Sequence, residues 1–192
     1  LVSANKIIKN LKWKKKDIKF IIFISQTRDF ILPSTACILQ RKLGLRKNVL
    51  AYDIPLGCSG FVYCHSIAQS LIQSNAAKNI LLVTADTYSK YISSENTAVR
   101  TIFGDGASAT VIQASNIQEV SNYKFDYGTD GSGIYDLIVP GSGLKKAPQI
   151  KNENIKPRFI EQIKDCELYM DGPKMFTFAL KAVPITIKET LK

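Results

Sequence analysis

Residues 48–60 read NVLAYDIPLGCSG, and the passage inside them from an extended run to a helix decides the fold. Residues 48–54 predict a strand. Pro55, Gly57 and Gly60 punctuate a tight turn, and Phe61, Cys64, Ala68 and Leu71 then recur at helical spacing. Upstream, IKFIIFIS (18–25) is apolar on both faces, as in a buried parallel strand. Between the two strands a helix is expected over 34–43, with Ser34 as N-cap and Gly44 as its stop. An earlier helix over 5–15 ends in lysines, which suit a helix C-terminus. Downstream, NILLVTA (79–85) predicts a third buried strand, and ASATVIQA (107–114) a fourth after the Gly104-Asp105-Gly106 turn. Residues 117–128 are expected as an antiparallel neighbour and 129–165 as loop-rich chain. A last amphipathic helix is expected over 173–191, with Pro173 in its first turn. This alternation makes the class α/β, a mixed, mostly parallel sheet with helices on both faces.

The composition agrees. The 192 residues are 45% apolar and 22% charged, and a chain of this size buries roughly 70% of its surface on folding. No apolar run approaches the ~20 residues of a membrane span, and Ile18–Ser25 is too short for a secretory signal. The first residue is Leu1 rather than Met, which suggests a fragment. Cysteines 37, 58, 64 and 166 form no CxxC pair, so reduced thiols in a cytoplasmic setting are expected. The net charge of +10 is concentrated in residues 1–50, where twelve Lys and Arg face Asp17 and Asp29. The densest stretch, Lys12-Trp13-Lys14-Lys15-Lys16, is either a solvated face or a docking surface for an acidic partner. Trp13 alone makes no stacking platform, so no nucleic-acid binding is expected. Phosphate-binding glycine fingerprints are absent, and a single His without CxxC argues against a metal site.

Cys58 is the candidate nucleophile. It lies between a buried strand and a helix N-terminus, where the helix dipole and unpaired N–H groups favour a thiolate. Gly57 and Gly60 let a substrate approach the backbone. The alternative reading is a small thiol packing as a hydrophobe. Cys64 fits the apolar face of the helix and is assigned to the core. His65, seven positions after Cys58, lies about 10 Å along the axis, too far for a thiolate–imidazole pair, and reads as a surface residue.

Four stretches occur in one order and at one spacing: PSTACILQRKLGL (33–45), DIPLGCSGFVY (53–63), IFGDGASATVI (102–112) and LYMDGPKMF (168–176). Together they resemble β-ketoacyl-acyl-carrier-protein synthase III, a condensing enzyme of the thiolase superfamily. The resemblance implies a thiolase-like fold of two similar α/β halves that dimerises, incomplete in this chain. Residues 1–167 would be the N-terminal half without its first strand, and 168–192 the start of the second. It implies acyl transfer from acyl-CoA to Cys58, then decarboxylative condensation with malonyl-acyl carrier protein. It also implies a homodimer, no permanently bound cofactor, and roles for Leu32, Tyr88 and Phe103 around the acyl pocket. Leu32 matches a residue that crosses the dimer interface, and all three have core packing as the alternative reading.

The departures are specific. The His and Asn that complete the family's site in its second half match nothing here. Asn96-Thr97 stands where family members often carry Asp-Arg, whose arginine grips coenzyme A. Two rival functions follow: a same-fold acyltransferase moving the acyl group to an alcohol or amine, and a non-catalytic dimer partner. The intact Cys58 argues against the second.

Overall fold

Ile21 and Phe23 of β1 (Phe20–Ile24) pack into one apolar cluster and Ile22 and Ile24 into another, so the strand is buried on both faces. Such burial suits an interior strand of a sheet covered on both faces, and β1 is interior. It pairs in parallel with β2 (Leu50–Ile54) on one side and β3 (Asn79–Asp86) on the other, with Ile22 opposite both Tyr52 and Leu82. β4 (Gly106–Gln113) runs antiparallel to β3, giving the order β2-β1-β3-β4. The computed structural model describes residues 1–115, 123–146, 150, 161 and 164–192. Of the strand expected over 117–128, residues 117–122 lie outside the described residues, and 123–128 form no strand.

Helices cover both faces of this sheet. On one face, Ala4 and Ile8 of α1 (Val2–Asn10) and Ala36, Leu39 and Leu43 of α2 (Thr35–Leu43) meet Ile21, Phe23, Leu81 and Val83. On the other, Cys64 and Ala68 of α3 (Gly60–Gln73) meet Ile22, Ile24, Ile80 and Leu82. Each fully buried Ile or Leu contributes about 1.5–3 kcal/mol relative to exposure, so this two-sided packing holds the sheet.

Two expected helix ends are corrected. The helix expected over 5–15 begins earlier and stops at Asn10. Lys12 turns left-handed (φ 53°), Lys12 N–H donates to Lys9 O and Trp13 N–H to Ile8 O, a paired C-terminal closure. Lys14–Lys16 therefore lie outside the helix, with a single 3₁₀ turn over Lys15–Asp17. Gly44 closes α2 the same way at φ 65°, as expected, donating to Arg41 O while Leu45 N–H donates to Gln40 O. At the start of α2, however, Ser34 makes no side-chain cap. Its hydroxyl donates to Cys37 Sγ at 3.1 Å. The cap is Asp53 instead, whose carboxylate accepts Thr35 N–H at 2.7 Å and Ala36 N–H at 2.8 Å. A carboxylate beside a helix N-terminus is also favoured by the dipole.

The chain divides into two compact units, Leu1–Thr87 with Asp105–Ser121, and Tyr88–Gly104 with Asn122–Lys192. The second holds α4 (Thr97–Arg100), the short antiparallel pair β5 (Leu137–Ile138) and β6 (Tyr169–Met170), and α5 (Gly172–Thr190). Asp171 caps α5 through Lys174 N–H at 3.2 Å, and Pro173 sits in the first turn as expected.

Candidate active site

The connection after β2 turns sharply. Leu56 N–H donates to Ile54 O at 2.9 Å, Gly60 N–H to Gly57 O at 2.9 Å, and Tyr63 N–H to Ser59 O at 3.1 Å. Ser59 occupies the N-cap position of α3 in a helical conformation and makes no side-chain cap. The first-turn amides of α3 thus receive no hydroxyl from their own cap residue, and Cys58 immediately precedes that cap. Gly60 is required by packing: a β-carbon there would lie 2.6 Å from Ile24 Cγ2 and 3.0 Å from Leu56 Cβ. This close approach seats the start of α3 on the end of β1, and Cys58 is left exposed at the turn.

The parallel strands place further groups at this end of the sheet. β1, β2 and β3 share one direction, so the residues following each emerge at the same edge. The chain passes from β1 to its neighbour β2 and then crosses to β3 on the far side of β1. Crevices outside the carboxyl ends of strands at such a reversal are the usual ligand sites of open α/β sheets. Cys58 follows β2 there, and Leu32 belongs to the connection following β1. Leu32 is 86% exposed, with Phe30 and Ile31 beside it also exposed, so core packing is not its role in this chain.

The other thiols occupy different settings. Cys64 is fully buried in the α3 face, and burial pushes its pKa from 9.0 up to about 11. Burial, with a smaller contribution from Cys64, likewise raises the Tyr52 hydroxyl. Cys37 accepts the Ser34 hydroxyl, and exposed Cys166 donates to Gly141 O at 3.8 Å. His65 is partly buried rather than on the open surface, its ring 6.2 Å from that of Phe61. Phe61 is in turn exposed rather than core.

Tyr88 and Phe103 fall in the second unit, where their rings pack together at 5.1 Å between centroids and 48° between planes. In the same unit Asn96 Oδ1 accepts Val99 N–H at 3.3 Å and caps α4. Asn96-Thr97 thus has a structural task and brings no positive charge. Two concavities, of about 590 and 550 Å³, are lined by none of Leu32, Cys58, Tyr88 or Phe103. Among the described residues no cluster of His, Cys, Asp or Glu could hold a metal ion, and no helix is long and apolar enough to cross a membrane.

Asp53 and Asp86 stand at the same end of the sheet as Cys58, and neither is among the sequence-derived candidates. Asp86 ends β3 and Asp53 is the last residue but one of β2, both in largely apolar strands where aspartate is disfavoured. That misfit was the available signal.

The comparisons place this geometry among known proteins. A family model described as 3-oxoacyl-[acyl-carrier-protein] synthase III matches residues 52–131, from β2 through Cys58 and past β4. The beta-ketoacyl-[acyl-carrier-protein] synthase III of Fusobacterium nucleatum is 35% identical over 97% of this chain and 54% of its own length. A crystal structure of a 3-oxoacyl-(acyl-carrier-protein) synthase III superposes with a TM-score of 0.87 at 37% identity, covering 99% of this chain and 57% of that one. The 3-oxoacyl-(acyl-carrier protein) synthase from Burkholderia xenovorans LB400 gives 0.86 at 35% identity, over 99% and 52%. The chain spans about half the length of the curated relatives it matches.

Proposed function

We propose that this chain belongs to the 3-oxoacyl-[acyl-carrier-protein] synthase III family, and that Cys58 is the nucleophile of a decarboxylating condensing enzyme. The observation carrying the proposal is the exposed Cys58 on a glycine-fitted strand-to-helix turn, one residue before an uncapped helix N-terminus.

In the first step the Cys58 thiolate attacks the carbonyl carbon of an acyl-CoA thioester. The new C–S bond forms, the oxyanion is stabilised by N–H donors, and the coenzyme A thiolate leaves with its electron pair. In the second, malonyl-acyl carrier protein loses CO₂. The resulting carbanion attacks the Cys58-bound acyl carbon, forming the carbon–carbon bond and expelling the Cys58 thiolate. Groups supplied outside this chain complete the second step. The chain contributes the nucleophile-bearing half through residue 167, and residues 168–192 open the other half. Leu32 borders the acyl pocket of a second copy in a homodimer, Tyr88 and Phe103 match acyl-pocket positions of the family, and no cofactor stays bound. The partners are acyl-CoA and an acyl carrier protein, not nucleic acid, and the setting is the cytoplasm.

Asn96-Thr97 supplies no cation for a coenzyme A phosphate, so the donor's nucleotide end is held elsewhere. The test is product analysis of the full-length protein given acetyl-CoA and malonyl-acyl carrier protein. A 3-oxoacyl product with released CO₂ is expected. Transfer of the acyl group to an alcohol or amine without CO₂ release would assign the rival acyltransferase activity instead.

A further inference from the structure

We propose that Asp86 and Asp53 are positioning residues for acyl-chain selection, a pair of carboxylates that grips both ends of the segment carrying Leu32. The inference rests on the reading above, that Leu32 borders an acyl pocket and Cys58 accepts the acyl group.

The segment leaves the sheet after β1. Its first residues are tied to the end of β3 through one oxygen. Asp86 Oδ1 accepts Gln26 N–H at 2.8 Å, Thr27 N–H at 3.1 Å, the Thr27 hydroxyl at 3.0 Å and the Ser25 hydroxyl at 3.1 Å. The Ser25 oxygen also accepts Thr27 N–H at 3.0 Å, and Thr27 Oγ1 accepts Thr87 N–H at 2.8 Å. The last residues are tied to the end of β2, where Asp53 takes the amides of Thr35 and Ala36 on its two oxygens. Arg28 Nη1 stands 3.9 Å from Asp53 Oδ2, and the Asp53 side chain is 2% exposed.

Between these anchors Phe30, Ile31 and Leu32 are 55, 74 and 86% exposed. Apolar side chains held in water gain nothing from burial in their own chain, so packing does not fix their position. The polar anchors do. Four donors converging on one oxygen need the concentrated charge of a carboxylate, which makes the Asp86 end sensitive to loss of that charge. Asp53 lies five residues before Cys58 on the same strand-to-turn path, whereas Asp86 holds only the segment that carries the apolar tip.

The experiment compares acetyl-, hexanoyl- and decanoyl-CoA as donors in the full-length protein carrying Asp86→Asn, Thr27→Val, Thr27→Ser or Leu32→Ala. For Asp86→Asn and Thr27→Val, the ratio of KM values between the longest and shortest donor is expected to shift about fivefold or more. The rate of iodoacetamide alkylation at Cys58 should stay near wild type, and Thr27→Ser, which keeps the hydroxyl, should restore the ratio. An unmoved ratio in folded Asp86→Asn and Thr27→Val, with a moved ratio in Leu32→Ala, overturns the clamp and leaves the pocket reading intact. An unmoved ratio in Leu32→Ala removes the pocket reading itself. Equal loss of alkylation and of all donor activities in the mild variant Thr27→Val would show a merely structural tie and also overturn the proposal.

Discussion

Gly60 sits against Ile24 so closely that a β-carbon on it would lie 2.6 Å from Ile24 Cγ2, inside any carbon–carbon contact distance. The central strand and the helix that follows Cys58 are therefore joined at a point where no side chain fits. Gly60→Ala should force α3 outward. Overpacking of this kind costs about 1–3 kcal/mol, and the ~1 kcal/mol helix preference of alanine over glycine offsets only part. Urea denaturation should show a lower midpoint with an unchanged slope, together with slower acylation of Cys58. A midpoint equal to wild type would mean that the helix start yields freely.

The buried thiol gives a pH signature. In the folded chain Cys64 holds its proton up to a pKa of about 11, against 9.0 for an ordinary thiol. Above pH 9 the unfolded chain releases this proton while the folded chain keeps it, so stability declines as pH rises from about 9 to about 11. Tyr52, raised by the same burial, acts in the same direction at the top of that range. Thermal melts between pH 8 and 11 should fall less steeply for Cys64→Ala, although that variant starts lower, by up to a few kcal/mol, because it loses packing. Parallel slopes would assign the alkaline loss to other groups.

The last helix predicts association. Phe176, Leu180, Val183 and Ile187 of α5 are all exposed and recur at four- and three-residue spacing, one apolar stripe, while exposed Phe178 and Ile185 mark another side. The 192-residue chain in isolation should self-associate at micromolar concentration in sedimentation velocity. Leu180→Glu with Val183→Glu should reduce that association, and a monodisperse wild-type monomer would contradict the expectation.

How much of this was legible in the residues varies with the range of the interaction. IKFIIFIS announces a buried parallel strand because both of its faces are apolar, and burial on both sides is what it shows. Cys58 is conspicuous because glycines frame it between a strand and a helix. The end of α1 was not legible, because Lys12 takes a left-handed conformation that lysine rarely adopts. Asp86 escaped notice for another reason. Its donors at Ser25, Gln26 and Thr27 are some sixty residues away, and only the parallel pairing of β1 and β3 brings them to one carboxylate. The Asp53 cap of α2 was hidden similarly, behind a Ser34 that has the right residue type at the right place and bonds elsewhere.

The lysine-rich stretch gives a salt-dependent expectation. Lys12, Lys14, Lys15 and Lys16 are exposed, and the release of this stretch from α1 leaves the side chains on an irregular segment. Acyl carrier proteins are acidic, so replacing the four lysines by glutamate in the full-length protein should slow association with the carrier about threefold or more at low salt. The difference should shrink at high salt, where exposed charges are screened. Identical association rates at low salt would leave the stretch a solvated face.

The decisive expectation concerns which sulfur carries the acyl group. Four thiols compete, and the structure separates them. Cys64 is fully buried with its pKa raised by that burial, so at neutral pH it is an inaccessible thiol. Cys37 lies in the first turn of α2, but there the Asp53 carboxylate already takes the Thr35 and Ala36 amides and the Ser34 hydroxyl donates to the sulfur, while Cys166 lies in a turn against Gly141 O. Cys58 alone is exposed next to the uncapped first turn of a helix, where partial positive charge meets both a thiolate and the oxyanion formed when it attacks. Incubation of the full-length protein with acetyl-CoA, followed by mass spectrometry of its peptides, should therefore find a +42 Da acetyl adduct, about one acetyl group in mass, on Cys58. Cys58→Ala should lose both the adduct and turnover, whereas Cys37→Ala and Cys166→Ala should retain them. An adduct on Cys37 or Cys166, or turnover surviving in Cys58→Ala, would take the nucleophile away from this turn and with it the condensing mechanism.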